Sequence, residues 1–462
     1  MRPFDAGEAV AQPGLLLRLA ARLRTLPLIL RSTVLSIGGN VAGAAASFLT
    51  QLVLARTLEA TRYGIYSYLL AWVNLGVLFG KLEFDTAALR FVSAYDSTHK
   101  DGLLAGFLRH GWRTVGWTAA LLALTAGAIA WLLRGHLPAG IADAIWAAMV
   151  LLPLTACLAF SSSILQALRR VPQAQLPQIL LRPVLFGVGL LAVVGMLGRQ
   201  PGAGGAVALN ALAMAVALGV SLFLLGRALP ARVRDAAPTF DSKTWTSTVR
   251  GLMIIALAQL VLSYQTDVLV VGTMLGAREA GIYSAASQLT SLIGLGANGV
   301  FFVVLPIFSQ LHARGDHDEL QRLVVRTVQG CIAVTVPAAL VLCIAGPTVV
   351  HWYGPSFAGA VPVLYLLTAG QVAGMTLGGL SSFLLITSGH EREASRVAIF
   401  TAVFNLTLSL ILTPLFGVIG AAVATVAAAL LRVGLLYWFA GRRLHVAVTP
   451  FFPRPRPGTA GA

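Results

Sequence analysis

The sequence predicts an all-helical integral membrane protein. It has about twelve transmembrane helices in two six-helix lobes related by a parallel internal repeat. Low charge, the placement of that charge in the loops, and a repeated motif carry the prediction. Of 462 residues 57% are hydrophobic and only 11% charged, with a mean hydropathy of +0.82. A soluble chain carries about 25% charged residues, so too few charges are present to cover a water-facing surface, and lipid is the natural solvent. A spanning helix needs about 20 apolar residues, which leaves room for a dozen.

The apolar runs place spans near 32–55, 64–80, 114–133, 141–167, 177–197, 204–226, 249–274, 280–305, 327–346, 358–387, 396–414 and 418–440. The second span runs into a polar stretch from Lys81, and the tenth is long. With the N-terminus in the cytoplasm, the far side receives only Arg56, Arg62, Arg134, Arg199 and Arg278 of the 33 Lys and Arg residues. This is the positive-inside asymmetry, and an even number of spans preserves it to the C-terminus. Both termini are therefore expected in the cytoplasm. The net charge of +16 reads as topology rather than as nucleic-acid binding. Tyr63, Tyr66, Trp352 and Tyr353 near span ends fit an interfacial belt.

The lobes are expected at 32–228 and 249–440, joined by a cytoplasmic linker over 229–248. A basic segment, 1–31, precedes them, and a Pro-rich tail, 441–462, follows. Residues 13–30 read as an amphipathic helix, with Leu15, Leu16, Leu19 and Leu23 toward lipid and arginines toward anionic headgroups. Arg18, Arg22 and Arg24 interrupt the apolar run, so a cleavable signal peptide is not expected.

Residues 53–67 (VLARTLEATRYGIYS) and 270–284 (VVGTMLGAREAGIYS) share the run Gly-Ile-Tyr-Ser at an offset of 217. Gly202, Gly205 and Ala206 match Gly417, Gly420 and Ala421 at an offset of 215. Each match falls at the same place in its half. Six spans separate the copies, so the halves run in the same direction, as in transporters that rock one lobe against the other around a central site.

Repeat, span count and motifs together resemble the polysaccharide (O-antigen, Wzx-like) flippases of the multidrug/oligosaccharidyl-lipid/polysaccharide exporter superfamily, whose fold is shared with multidrug exporters of the MATE type. The resemblance covers residues 32–440. It rests on Leu58, Gly64 and Tyr66, on the stretch Leu82–Arg90, and on Leu165–Arg170. It continues through Asp267, Gly272, Leu275, Gly276, Gly281, Tyr283 and Ala285, and ends on Asn405-Leu406, Pro414, Gly417 and Gly420–Thr425. It implies export of undecaprenyl-pyrophosphate-linked oligosaccharide across the bacterial inner membrane for O-antigen or exopolysaccharide synthesis. Membrane lipids, a polymerase and a chain-length regulator are the implied partners.

Charges kept inside a membrane are costly and are functional candidates. Asp267 lies well within the seventh span, with Tyr264 and Gln265 beside it. Its functional reading is a cavity acid that binds a coupling cation or meets a substrate donor. The competing one is a structural pair or a packing hydrogen bond. Asp85 is a second acidic candidate, and Glu83 and Asp85 can pair with Lys81 or Arg90. Arg90 and Arg182 are candidates for the phosphates, since arginine offers a bidentate donor fork; the competing reading is placement near the cytoplasmic ends by topology alone. Asn40, Gln51, Asn74, Gln259, Asn298, Gln371 and Asn405 are candidates to meet sugar hydroxyls, or else to join helices to one another.

Cys157, Cys331 and Cys343 lie in apolar runs, and no histidine spacing suits a metal, so neither a disulfide framework nor a metal site is expected. Nucleotide, hydrolase and dinucleotide motifs are missing, so no cofactor and no ATP hydrolysis by this chain are expected. A multidrug–cation antiporter and a peptidoglycan-precursor flippase are the rivals within transport. A membrane glycosyltransferase or polymerase needs a large external loop with catalytic residues, and the last two external loops hold no Asp, Glu, Lys or Arg. A scaffold protein without transport activity gains nothing from the repeat.

Overall fold

The computed structural model describes residues 28–132, 141–198, 201–261, 264–314, 317–378 and 391–444. The amphipathic helix expected over 13–30 and the tail expected from Thr449 lie almost wholly outside them. Leu28–Lys81 is a helix bent at Glu59 (φ 60°, ψ 170°) into α1 (28–58) and α2 (60–81). The polar stretch after Lys81 continues as a separate helix, α3 (Phe84–Ser97). Leu82 and Glu83 adopt left-handed φ at the break, and Lys81 staples it through Glu83 at 3.0 Å and Asp85 at 2.6 Å.

The first half continues with α4 (Asp101–Leu132) and α5 (Ile141–Ala167). The rod over 171–197, α6, contains a π-helical turn at Leu176–Leu181. It is followed by α7 (Ala203–Ala228). A short connecting helix, α8 (Ala231–Arg234), leads to α9 (Ser242–Val261) and α10 (Tyr264–Met274). Then come α11 (Ala277–Arg314), α12 (His317–Tyr353) and α13 (Ala360–Ala373), the last extended by a π-helical turn at Gly374–Gly378. Glu391–Leu444 bends at Gly417 (φ 63°, ψ −145°) into α14 (391–416) and α15 (418–444).

The two halves match element by element. The pair α2–α3 covers 60–97, and α11 covers 277–314, an offset of 217 at both ends. Ala203 opens α7, and residue 418 opens α15 at the offset of 215. One difference stands out: α11 is continuous where the first half is broken at Leu82–Glu83. By length and composition, seven of the described helices, two of them the bent double helices, suit a bilayer crossing. Residues such as Trp117, Leu124, Met196 and Ile344 stand exposed on outer faces, as a lipid-facing surface requires.

The halves meet at the end of the bundle away from the termini. There the two Gly-Ile-Tyr-Ser copies cross. A Cβ on Gly64 would overlap the Ala277 carbonyl, and one on Gly281 would overlap the Ala60 carbonyl. Only hydrogen at both positions allows the backbones of α2 and α11 this approach, as small residues do between membrane helices. The Ala60 N–H donates to Ser356 Oγ at 3.2 Å, and Tyr63 packs edge-on against Phe357. One apolar core runs through this seam, joining Leu54, Tyr63 and Tyr66 to Ala280, Tyr283 and Phe357. Toward the termini the second half has a core of its own, around Phe301, Val324, Val328 and Leu436. The close backbone contact between the halves is thus at this end, and toward the termini Trp245 of α9 packs on Phe107 of the first half.

The connector is tied to the first half. Arg232 pairs with Asp96 at 2.5 Å, the Thr239 N–H donates to the Gly102 carbonyl, and Trp245 Nε1 donates to the Tyr95 hydroxyl at 3.1 Å. Helix α9 begins at Ser242, earlier than the span expected from 249, because Asp241 Oδ1 accepts from the Thr244 N–H and caps polar sequence into the helix.

Gly64→Ala is expected to lower the stability of the purified protein by about 1–3 kcal/mol, the usual cost of overpacking. Gly219→Ala, where a Cβ meets nothing, is expected to leave it unchanged. Thermal unfolding in detergent compares the two, and equal midpoints would refute the crossing.

Candidate functional site

Two cavities flank α11, and Ser291 lines both. The first, about 440 Å³, lies between the halves and is lined by Gln51, Asn74, Arg182, Ser284, Gln288 and Tyr353. The second, about 430 Å³, lies within the second half and is lined by Tyr283, Asn298, Gln371, Asn405, Thr425 and Arg432. Both are of ligand-binding size.

In the first cavity a relay crosses the seam. The Gln288 amide donates to the Tyr63 hydroxyl at 2.9 Å, which donates to Gln51 Oε1 at 3.2 Å. Arg182 reaches the cavity from α6, where the π-helical turn and Pro183 interrupt the regular ladder. Its Nε donates to Asn210 Oδ1 at 3.2 Å, and Asn210 Nδ2 donates to the Tyr66 hydroxyl at 3.1 Å. Thr50 Oγ1 fixes the same turn by donating to the Pro183 carbonyl.

Asp267 sits behind the second cavity, 1% exposed. Its Oδ2 accepts from the Tyr283 hydroxyl and from Thr425 Oγ1, both at 2.9 Å, and its Oδ1 accepts from Asn405 Nδ2 at 3.2 Å. All three donors line the cavity and stand between it and the carboxylate. Asn405 Oδ1 is buried without a hydrogen bond. An amide turned end for end would offer that oxygen to a protonated Asp267, so the network has two consistent arrangements.

The repeat register relates the clusters. Tyr66 corresponds to Tyr283 and Thr50 to Asp267 at the offset of 217, and Asn210 corresponds to Thr425 at 215. Equivalent positions therefore carry the polar groups in each half, with a cation at the end of one cluster and an anion in the other.

The sequence candidates divide accordingly. Gln51, Asn74 and Arg182 line the first cavity, and Gln371, Asn405 and Asn298 the second. One central cavity was expected, and the candidates that line a cavity divide between these two on either side of α11. Asp85 lies at the α2–α3 break, paired with Lys81, and neither cavity includes it. Arg90 is exposed on α3 with its guanidinium 5.7 Å from the Phe91 ring, also outside both cavities. Asn40 is half-buried and lines neither. The side chains of Tyr264, Gln265 and Gln259 lie outside the described residues. Sequence reasoning missed Tyr283, Thr425, Asn210, Gln288 and Arg432. Reading the offset of 215 through to Asn210 and Thr425 would have found two of them.

A family model described as "Polysaccharide biosynthesis protein" matches residues 29–312, well over half of the chain. The chain belongs to this family. Among curated relatives, the probable low-salt glycan biosynthesis flippase Agl15 of Haloferax volcanii is 25% identical over 160 residues, 34% of each chain. The chain spans about a third of the length of the curated relatives it matches. The solved structure of the lipid II flippase MurJ in its inward closed conformation superposes with a TM-score of 0.66 at 15% identity, over 88% of this chain and 87% of that one. An inward-facing MATE transporter of the MOP superfamily superposes at 0.62 and 15% identity, over 93% of this chain and 98% of that one. This polysaccharide biosynthesis protein thus has the MOP fold, and it is a multi-pass membrane protein.

Tyr283→Phe and Asn405→Leu each remove one donor from buried Asp267 and are expected to cost about 1–3 kcal/mol of stability. The double variant should depart from additivity by at least about 0.5 kcal/mol, as contacting residues do. Strictly additive unfolding free energies would show that no shared network exists.

Proposed function

We propose that this protein is a flippase that carries a lipid-linked oligosaccharide between membrane leaflets by alternating access, without hydrolysing ATP and without covalent chemistry. The observation that carries the reading is the first cavity. Polar side chains from both halves line it around Arg182, while the crossing of Gly64 and Gly281 closes one end. With the termini in the cytoplasm, as loop charge favours, the crossing of Gly64 and Gly281 closes the cavity on the opposite side. Substrate then enters from the cytoplasmic leaflet of the bacterial inner membrane. Arg182 meets the phosphates of the carrier lipid, undecaprenyl pyrophosphate in the family's usual chemistry, and Gln51, Asn74 and Gln288 meet sugar hydroxyls.

Release on the far side requires the seam to part and the cytoplasmic ends to close. Asp267 supplies coupling: its protonation changes which partners it can hold, and those partners line the neighbouring cavity. The family membership and the similarity to the flippases Agl15 and MurJ support a flippase. A cationic cavity disfavours export of cationic drugs. The polymerase and chain-length regulator of the same pathway are the proposed partners.

The test uses proteoliposomes with a fluorescent undecaprenyl-pyrophosphate oligosaccharide and a membrane-impermeant quencher. Wild-type protein is expected to expose the lumenal pool. Arg182→Gln should slow transport at least about tenfold, the worth of a charge-assisted hydrogen bond, and Asp267→Asn should abolish any dependence on an imposed ion gradient. Exposure no greater than in empty liposomes, from folded wild-type protein with a gradient imposed, would refute the reading.

A further inference from the structure

Arg432 has no role in the mechanism above, although it lies inside α15 rather than at its end. It is about 20 Å along the helix from the Gly417 bend, at 1.5 Å per residue. It is half-buried and lines the second cavity. Among the described residues it makes no hydrogen bond or ion pair. Among the described residues the lining of the cavity contains no carboxylate, and Asp267 is screened by Tyr283, Asn405 and Thr425. A guanidinium held in a membrane protein without a partner is costly, and residues of this kind mark substrate paths.

The surroundings are shaped for an occupant. Gly370, Gly374 and Gly378 lie at four-residue spacing on α13 and its π-helical extension. The two outer glycines fit tightly: a Cβ there would come to 2.9 Å from Val426 and from Val433, the residues on α15 that bracket Arg432. At Gly374, between them, a Cβ would meet nothing. The helices thus touch on either side and leave open space at Gly374, in the cavity that Arg432 also lines. Gln371 and Asn298 line the same space, and their amides make no hydrogen bond among the described residues. One fork of five N–H donors and two amides, all unengaged, match an oxyanion with hydroxyl neighbours.

We propose that the Arg432 cavity is a second oxyanion site, separate from Arg182, which takes a phosphate or carboxylate of the transported headgroup. The proposal rests on the flippase reading and extends it: with one cation in each half, a headgroup carrying two anionic groups is held by both halves at once. The oxyanion has two possible sources, the pyrophosphate link and an acidic sugar.

Full-length protein in nanodiscs is titrated with geranyl pyrophosphate, with a glucuronate-containing disaccharide, and with geraniol as the neutral control. The variants are Arg432→Gln, Arg432→Lys, Gly374→Leu, Arg182→Gln and Arg227→Gln. The last removes an arginine stacked on Phe223 outside both cavities and serves as control. Arg432→Gln is expected to weaken binding of at least one anionic probe tenfold or more. Arg432→Lys should restore part of it. Gly374→Leu should reproduce the loss with the charge intact, by filling the gap. Loss confined to geranyl pyrophosphate assigns the lipid link, and loss confined to the disaccharide assigns an acidic sugar. Without ligand, Arg432→Gln should melt no lower than wild type, because it relieves an unpaired charge.

Anion binding unchanged by Arg432→Gln would overturn the site. So would a lower melting temperature for that variant without ligand, which would make Arg432 a structural residue. If the Arg432-dependent binding holds and wild-type protein still moves no lipid-linked glycan, the site stands and the flippase reading fails.

Discussion

The close crossing of α2 and α11 governs the arrangement of the whole molecule. Two glycines, one from each copy of the repeated motif, bring backbone against backbone on the axis that relates the halves. Because the contact is made by main chain, no rotamer change can relax it. The bulky partners Tyr63, Tyr66, Tyr283 and Phe357 then pack around the crossing as one core. Toward the termini the halves meet again through Trp245 of α9, packed on Phe107, and the second half closes over its own cluster of apolar side chains. The space left between the halves is the first cavity.

Such a seam suits a structure that has to open. Its apolar contact is concentrated at one end, and its polar links, from Ser356 to Ala60 and from Gln288 through Tyr63 to Gln51, are neutral hydrogen bonds. Each is worth about 1 kcal/mol net, so none locks the halves as a buried ion pair would. The stronger links lie within halves. The connector is held to the first half through Arg232 and Trp245, and Asp267 binds α10 to α11, α14 and α15. A boundary of weaker links between the halves fits the alternating access proposed above.

The repeat has also diverged in a physically sensible way. The same positions bear tyrosine and a small polar residue in each half, but one cluster ends at Arg182, facing the cavity, and the other surrounds Asp267, behind it. A carboxylate satisfied by three donors is stable where it is buried. An arginine on the cavity wall, held in place by Asn210, presents its charge to whatever enters. Placement of charge, more than its amount, separates the two roles.

The architecture was legible because the bilayer imposes it. Apolar run length sets the spans, and the Gly-Ile-Tyr-Ser pair revealed the repeat that the element boundaries follow at the same offset. Asp267 was equally legible, since a lone carboxylate in an apolar run needs a reason. The partners were not: Tyr283, Asn405 and Thr425 lie 16, 138 and 158 residues from it, and nothing local announces their convergence. The same limit left open where Arg90 and Asp85 would stand: Arg90 lies on an exposed face of α3, and Asp85 takes the pairing with Lys81 that its spacing allowed. It also hid Arg432 among the charges of a cytoplasmic end. By itself the sequence determined what must cross the membrane and how the halves repeat, because those follow from periodicity and transfer energy along one chain. Which polar groups meet, which face a cavity and which are left without a partner was decided only by tertiary structure, because it depends on how separate helices rotate and approach.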